Sequence, residues 1–254
     1  MINQLVSKSL NQNLVVKPIN HTLGNEILKR YHYLHLRPSG TQVMLGVYLD
    51  NKVEGVISFG NPVASRAHKA VKNTVGKQVL ELTRLWLSDR LGKNSESRVI
   101  AIALRLIKKK RRDIQWIISY ADPNHGHLGT IYQATNWTYI GLTTKTEYYV
   151  LPNGKKKHTK TLNDIVKSRK NLMKIFGNKI RIERTSGKHC YIYFLNESYR
   201  KYLIKPIRAY PKIKNRESSM ISTPYSSNRE AIVKPNRLAP PLSSLSNLAR
   251  KVTK

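Results

Sequence analysis

The stretch Ile117-Ile-Ser-Tyr-Ala-Asp-Pro-Asn-His-Gly-His-Leu-Gly-Thr-Ile-Tyr132 decides the fold. It begins inside a predicted buried strand, Gln115–Ala121, and polar groups crowd the loop that follows. Gly126 and Gly129 permit close approach of a ligand to the backbone, and a short helix over Thr130–Thr135 would offer free amide groups to an anion. This order of strand, loop and helix indicates an α/β fold with a site beyond the strand's carboxyl end.

The segments before this stretch alternate between strand and helix patterns. The predicted strands are Asn13–Ile19, Val43–Leu49, Val53–Phe59 and Val79–Leu87. The predicted helices are Thr22–Tyr33 and one that is capped by Asn94 or Ser95 and closed by Lys108–Arg112. The dipeptide Asp50-Asn51 predicts that the second and third strands form a hairpin.

The segments after the stretch predict two further hairpins and a helix. The hairpins are Trp137–Ile140 with Thr144–Val150, around Gly141, and Lys179–Glu183 with His189–Leu195, turning at Ser186-Gly187; the helix is Leu162–Phe176. We therefore expect an α/β catalytic domain over residues 1–150 and a basic α+β extension over 151–210 that contacts nucleic acid. Residues 211–254 have too little apolar surface to offset chain entropy, which predicts a disordered basic tail.

The charge predicts a polyanionic partner. The chain carries 46 Lys and Arg against 14 Asp and Glu, a net charge of +32. Residues 1–150 account for +12 and residues 151–254 for +20. Because each phosphate contact releases condensed counterions, nucleic acid is the natural partner of such a chain. A merely solvated lysine-rich surface and an anionic membrane are the alternatives.

The remaining composition indicates the cytoplasm. No apolar run approaches the roughly 20 residues that span a bilayer, so no membrane association is expected. The first residues lack the apolar core of a signal peptide. Cys190 is the single cysteine, which excludes a disulfide framework and a zinc site built on paired cysteines, and favours a reducing compartment.

The loop after the central strand holds the first candidate site. Asp122 is a candidate general base or metal ligand, although an Asp before Pro is also a good turn former. His125 and His127 fit a metal only if a third ligand arrives from elsewhere, and they could instead contact phosphate or substrate. Tyr120 and Tyr132 are aromatic candidates for contacts with a nucleic acid substrate.

Arg84 is the second candidate. Strict alternation along Glu81-Leu-Thr-Arg-Leu-Trp-Leu87 places Leu82, Arg84 and Trp86 on one face. A guanidinium among apolar neighbours must be paired, for example with Asp122 or with a ligand oxyanion.

Two helix ends and one aromatic segment complete the candidates. Gly92, Lys93, Asn94 and Ser95 precede a helix, where they suit an anionic cofactor or an ordinary helix start. Lys108, Lys109 and Lys110 favour either helix termination or a phosphate contact. The segment Tyr31-His-Tyr-Leu-His35 suggests base stacking or core packing.

Together these elements resemble a known fold and a known family. The order of strands and helices resembles that of the Gcn5-related N-acyltransferases (GNAT): a mixed, mainly antiparallel sheet flanked by helices, here with a basic C-terminal extension. More specifically, residues 13–150 resemble the Mom family of phage DNA-modification proteins. The motifs that carry this resemblance are Tyr31–Leu34, Glu81–Leu87, the helix start at Ser97 and Ser119–Gly141.

The resemblance implies an enzyme, a phage-encoded transferase that acts on double-stranded DNA in the cytoplasm of the host. Members of the family add a carbamoylmethyl group to the exocyclic amine of adenine, which protects the DNA from host restriction. By position, Asp122 would be a base or orienting group, Arg84 would bind a donor oxyanion or hold Asp122, Ser97 would contact the donor, and Tyr33 would line the pocket or stack on the base.

The resemblance leaves the donor open. Acyltransferases bind the pyrophosphate of coenzyme A with a turn rich in glycine, whereas Arg90-Leu-Gly-Lys-Asn-Ser95 has one glycine. An acyl-coenzyme A and a glycine derivative are both candidate donors, and a metal ion is neither required nor excluded. A non-catalytic DNA-binding protein and an N-acyltransferase of proteins or small amines remain the alternative functions.

Overall fold

The computed structural model describes residues 5–9, 12–154, 156–159 and 169–212. The strands are β1 (Leu5–Ser9), β2 (Gln12–Pro18), β3 (Thr41–Leu49), β4 (Lys52–Gly60), β5 (Val79–Leu87), β6 (Trp116–Ala121), β7 (Thr138–Leu142), β8 (Thr146–Val150), β9 (Lys156–His158), β10 (Arg181–Thr185) and β11 (His189–Phe194). The helices are α1 (His21–Tyr31), α2 (Ser95–Lys110), α3 (Thr130–Gln133) and α4 (Arg169–Phe176).

Eight strands form the main sheet, in the order β1-β2-β3-β4-β5-β6-β11-β7. All neighbouring strands run antiparallel except β5 and β6. These two run parallel because α2 returns the chain to the end of the sheet at which β5 begins. Along β3, Val43 and Leu45 pack with α2 whereas Met44 packs with α1, so the two helices cover opposite faces. This is the mixed, mainly antiparallel sheet flanked by helices that the acyltransferase-like order predicts, and the predicted fold class is confirmed.

The local predictions around α1 and the first hairpin are largely confirmed. The side chain of Asn20 accepts a hydrogen bond from the amide of Thr22 (2.8 Å) and starts α1. Positive φ angles of 48° and 64° at Asp50 and Asn51 turn β3 into β4. Helix α1 ends at Tyr31, two residues before the predicted end, so Tyr33 lies outside the helix.

The predicted cap of α2 is wrong. Asn94 occupies the cap position in a left-handed conformation (φ 63°), and its side chain makes no capping hydrogen bond. The Ser95 hydroxyl turns back to donate to the carbonyl of Gly92 (2.8 Å), so it does not cap either. Charge placement still favours the helix, with Glu96 in the first turn and three lysines in the last.

Both predicted hairpins after β6 are wrong. β7 pairs with β11, and β8 pairs with β9 and β10 in a separate three-stranded sheet. β11, which lies within the predicted extension 151–210, enters the main sheet between β6 and β7. The reason is burial: β11 is buried almost continuously, and such a strand needs neighbours on both edges and cover on both faces.

The remaining predictions concern the C-terminal part. Helix α4 accounts for the end of the predicted helix Leu162–Phe176, whose first residues fall outside the described chain. Apart from its first two residues, the predicted tail 211–254 also lies outside it. Within the described ranges, no helix combines the length and apolar character that crossing a membrane requires.

Candidate functional site

The site lies where β5 and β6 separate. Their parallel ladder extends over three pairs and ends at Glu81 opposite Ile118. One further link follows, in which the Ser119 hydroxyl donates to the carbonyl of Leu82 (3.0 Å). Beyond it both strands continue without further ladder pairs, so their carboxyl ends diverge, as the predicted position of the site requires.

A β-bulge in β5 sets the direction of Arg84. Ser58 of β4 faces Arg84 and Phe59 faces Leu82, so Thr83 is the extra residue. The bulge breaks the alternation, and Leu85 therefore packs in the same cluster as Leu82 while Trp86 packs against α1. The predicted face shared by Leu82, Arg84 and Trp86 is wrong, because one extra residue reverses every side chain that follows.

Among the described residues, no carboxylate forms a hydrogen bond with Arg84. Its Nη1 donates to the carbonyl of Thr83 (2.6 Å), whereas its buried Nε has no hydrogen-bond partner among the described residues. Burial lowers the pKa of Arg84, and the charges of Tyr33 and Glu81 raise it. The bridge to Asp122, one of the two predicted pairings, does not form, and the oxyanion alternative remains.

Asp122 is instead bonded to its own loop and to a distant lysine. Its Oδ1 accepts from the backbone amide (3.0 Å) and the side-chain amide (2.8 Å) of Asn124, and its Oδ2 lies 3.2 Å from the Nζ of Lys188. Burial raises the pKa of Asp122, but the hydrogen bonds from Asn124 and Lys188 outweigh it and hold the pKa below its ordinary value. The residue is thus both a turn former and an ionised carboxylate.

Tyr33, His125 and His127 form an exposed aromatic surface beside Asp122. The ring of Tyr33 lies 5.0 Å from that of His125 and 5.7 Å from that of His127, between centroids. About half of the Tyr33 side chain is exposed. Burial raises the pKa of Tyr33, Lys188 and Arg84 lower it, and Asp122 raises it, so all three charged groups act electrostatically on its hydroxyl. The structure therefore brings together three of the four residues that the resemblance selects.

His32 supports this surface from beneath. Its ring stacks on Tyr33 at 4.4 Å, and its Nδ1 accepts from the amide of Leu34 (3.2 Å). Burial and the charge of Arg84 lower the pKa of His32 to about 4, which keeps the imidazole neutral at physiological pH.

Sequence reasoning missed His32, Glu81 and Lys188 as site residues. Glu81 is buried, accepts from the amide of Val63 (2.8 Å), and has a pKa that burial raises. Glu81 belongs to the motif that also contains Arg84. A carboxylate in that motif, at the point where β5 and β6 separate, was the signal by which sequence reasoning could have found it. Lys188 had none, because nothing local relates it to Asp122.

Tyr132 and Tyr120 are not part of the exposed aromatic surface. Tyr132 is buried, its hydroxyl forms a hydrogen bond with that of Ser119 (2.8 Å), and burial raises the pKa of Tyr132 to about 12. Tyr132 therefore stabilises the end of β6 from within the core. Tyr120 is half-buried against Cys190 and its neighbours on the opposite face of the sheet.

The partners of Asp122 among the described residues are Asn124 and Lys188, and neither end of α2 supplies one. At the first, Gly92, Lys93 and Asn94 are exposed, and the Ser97 hydroxyl donates to the carbonyl of Asn94 (3.0 Å). In the same turn, Nη2 of Arg98 is buried without a hydrogen-bond partner in the described part of the chain. Lys108–Lys110 are exposed at the other end, about 24 Å along a helix of 16 residues. Their phosphate contact stays a prediction.

A metal site finds limited support in the geometry. Among residues 5–9, 12–154, 156–159 and 169–212, no group of three or more His, Cys, Asp or Glu side chains could hold an ion. The ring centroids of His125 and His127 are 6.4 Å apart, and the third ligand that the sequence argument required does not accompany them.

Comparison with known proteins gives matches at two levels. The model of the Mom protein family matches residues 13–212. "Methylcarbamoylase mom" of Escherichia phage Mu is 32% identical over 206 residues, which cover 78% of this chain and 84% of that protein.

Among solved structures, the chain is similar to acetyltransferases. A ribosomal-protein-S5-alanine acetyltransferase from Vibrio fischeri aligns with a TM-score of 0.43 and 10% identity, over 77% of this chain and 98% of that one. A GNAT-family acetyltransferase from Streptococcus pneumoniae aligns with a TM-score of 0.41 and 10% identity, over 72% and 99%.

Proposed function

The chain belongs to the Mom protein family, as its motifs predict, and we propose that it is a transferase that modifies adenine in double-stranded DNA. The transferred group is of the carbamoylmethyl type, in keeping with the name methylcarbamoylase of its phage Mu relative. The acceptor is the exocyclic amine of adenine. The protein acts on phage DNA in the cytoplasm of the host, where the modification protects the DNA from restriction enzymes.

One observation carries this proposal: an ionised carboxylate, Asp122, lies beside an exposed aromatic surface at the diverging ends of β5 and β6. An adenine inside a duplex cannot present its amine to such a group, so it must leave the stack at a cost of a few kcal/mol. Stacking on Tyr33 offsets this cost, since one base on one aromatic ring contributes about 1–3 kcal/mol.

Asp122 acts as acceptor and orienting group for the amine. The lone pair of this amine is delocalised into the purine ring, and its N–H groups become acidic only as the nitrogen attacks the donor carbon. The new N–C bond forms while the bond to the leaving group breaks, and the leaving group departs with its electron pair. The excess proton then passes from the nitrogen to the Asp122 carboxylate, whose lowered pKa suits a late proton acceptor.

Arg84 stabilises negative charge on the donor. Its buried Nε lacks a hydrogen-bond partner in the described residues, and its charge faces Tyr33. A desolvated donor of this kind binds an oxyanion strongly, because no water competes for it. An oxyanion of the donor is the natural partner.

The start of α2 fits the anionic part of an acyl-coenzyme A or of a glycine derivative. A helix N-terminus attracts anions, Lys93 is exposed, and a side chain built at Gly92 would meet nothing within 4 Å. The unpartnered Nη2 of Arg98 adds a second cation in the same turn. Gly92, Lys93, Asn94 and Ser95 would hold this group, with Ser97 as a hydroxyl contact. Because a carbamoylmethyl group is joined to the amine through its methylene carbon, acyl transfer from a coenzyme alone does not complete the reaction.

The test is expression of the full chain in bacteria, followed by digestion of the cellular DNA and mass spectrometry of the nucleosides. We expect a new adenosine derivative whose added mass corresponds to a carbamoylmethyl group. Unmodified DNA that the protein nevertheless binds would identify a DNA-binding protein instead. Acyl transfer to a protein or small amine without a DNA change would identify an N-acyltransferase.

A further inference from the structure

An insertion separates β7 from β11, although the two strands are neighbours in the main sheet. We call residues 143–188 the arm; its described part carries β8, β9, β10 and α4. The two ends of the arm meet at a stem, where the amide of Thr143 donates to the carbonyl of Lys188 and the amide of Lys188 donates to the Thr143 hydroxyl, both at 2.9 Å. A Cβ at Gly187 would collide with the carbonyl oxygen of Thr143, so only glycine fits there.

The stem of the arm touches the proposed site directly. Nζ of Lys188 is 3.2 Å from the carboxylate of Asp122. The Ser186 hydroxyl donates to the side-chain oxygen of Asn124 (3.1 Å), and the side-chain amide of Asn124 bonds to Asp122. The arm therefore starts at the carboxylate proposed to face the adenine.

The arm is strongly basic. It contains 13 Lys and Arg against 3 Asp and Glu. Its two described carboxylates are already paired with arm cations, Glu183 with Lys156 (2.7 Å) and Glu147 with Arg184 (2.8 Å). Further cations project into solvent, namely Lys145, Lys170, Lys174, Lys179 and Arg181.

These cations stand on a folded unit. The buried ring of Tyr149 in β8 packs against Phe176 at the end of α4 and against Ile180. This small core ties the helix to the three-stranded sheet. Lys170 and Lys174 are four residues apart on α4, so they lie on one face of the helix. Cations carried by a folded unit lose less conformational entropy on binding phosphate than cations on a flexible segment do.

We propose that the arm binds the DNA backbone and holds the phosphates that flank the nucleotide presented to Asp122. This proposal takes the identity of the base from the proposed function. What it adds is the surface on which the duplex binds. Distributed cations suit a polyanion, because each phosphate contact releases condensed counterions. The stem fixes the distance between the bound phosphates and the reacting base.

The test compares two sets of charge removals in the full chain. The arm variant carries Lys170→Gln, Lys174→Gln and Lys179→Gln. The control carries Lys69→Gln, Lys72→Gln and Lys77→Gln, three exposed lysines in the loop that leads to the opposite end of β5. Binding of a fluorescent duplex of about 30 base pairs, long enough to cover a typical protein–DNA interface, is measured by anisotropy at several salt concentrations.

We expect the arm variant to raise the Kd about tenfold. The slope of log Kd against log salt should fall by about 0.9 for each phosphate that the variant no longer binds. The control should change the Kd less than about twofold, because its lysines lie away from the arm. Equal weakening by both triple variants, or unchanged binding by the arm variant, would overturn the proposal. So would a clear preference of the arm for RNA over duplex DNA.

Two further readouts separate the possible failures. Circular dichroism and thermal unfolding establish that both triple variants fold, which is expected because the substituted side chains are exposed. If the arm variant loses DNA affinity but the wild type makes no modified adenosine, the proposed function fails and the arm proposal stands. If the wild type modifies adenine while the arm variant binds normally, only the arm proposal fails.

Discussion

Nζ of Lys188 lies 3.2 Å from Oδ2 of Asp122, although the rest of the arm lies between the two residues in the chain. This contact links the loop after β6 to the start of β11. It also contributes to the lowered pKa of Asp122, together with the two hydrogen bonds from Asn124. A carboxylate held by three donors stays ionised at physiological pH and keeps a fixed orientation.

The first prediction concerns the carboxylate itself. Asp122→Asn keeps the shape of the side chain but removes its charge and its capacity to take a proton. We expect modified adenosine to fall by at least about 100-fold, the lower range for loss of an acid–base group. DNA affinity should stay within about twofold, because the phosphates are bound by cations elsewhere. Nucleoside mass spectrometry and anisotropy measure the two quantities.

The matched control for this substitution is Asp113→Asn, which alters a carboxylate that pairs with Arg111 (2.7 Å) outside the site. It should leave the modification unchanged. Full modification by Asp122→Asn would remove Asp122 from the reaction.

The second prediction concerns stacking on Tyr33. Tyr33→Phe keeps the ring that faces His125 and His127, whereas Tyr33→Ala removes it. Loss of one base–aromatic stack costs about 1–3 kcal/mol, roughly 5- to 150-fold in the modification rate at limiting DNA. Single-turnover rates on a short duplex measure the effect.

The phenylalanine variant is the control, and it should stay within a few-fold of the wild type. An equal loss in both variants would assign the role of Tyr33 to its hydroxyl. No loss in either would mean that the extruded base stacks elsewhere.

The third prediction concerns pH. Burial and Arg84 lower the pKa of His32 in the folded protein to about 4, against an ordinary value of 6.5. Between these values the unfolded chain binds more protons than the folded one, so stability is lost as pH falls from about 6.5 towards 4. Urea unfolding at about pH 7 and about pH 5, on either side of the ordinary histidine pKa, measures this loss.

His32→Gln removes the titrating group while its side-chain oxygen can still accept a hydrogen bond. The free energy of unfolding of this variant should therefore depend less on pH over the same interval. Some dependence should persist, because burial also lowers the pKa of His189. An unchanged pH dependence would show that His32 is protonated equally in both states.

The fourth prediction concerns the stem of the arm. Gly187→Ala drives a methyl group into the carbonyl oxygen of Thr143, where neither backbone can yield without breaking the stem hydrogen bonds. We expect a lower melting temperature and weaker DNA binding. Gly76→Ala is the control, since its Cβ would meet no atom closer than 4.0 Å. Equal melting temperatures for the two variants would show that the stem tolerates displacement.

Local pattern was sufficient for several parts of the fold. The turn at Asp50 and Asn51, the helix α2 between two parallel strands, and the polar loop after β6 all follow from residues near one another in sequence. The same holds for Asp122 as a turn former, because an Asx side chain bonds the backbone two residues on. The predicted order of elements from β2 to β6 was therefore correct, whereas β1 (Leu5–Ser9) was not predicted.

Other features depended on contacts between distant segments. A single bulged residue in β5 turned Arg84 and Trp86 away from their predicted faces, and alternation alone does not reveal a bulge. The predicted hairpins after β6 failed because neighbours in sequence were taken as neighbours in the sheet. The actual neighbour of β7 follows only after the arm.

The sequence by itself determined the basic charge, the alternation of strands and helices, and the chemical groups available to the site. Only the tertiary structure decided that β11 enters between β6 and β7 and thereby brings Lys188 to Asp122. The physical reason is that periodicity records which face of a strand is buried, whereas the choice of partner depends on which distant strand can cover both edges and complete the core.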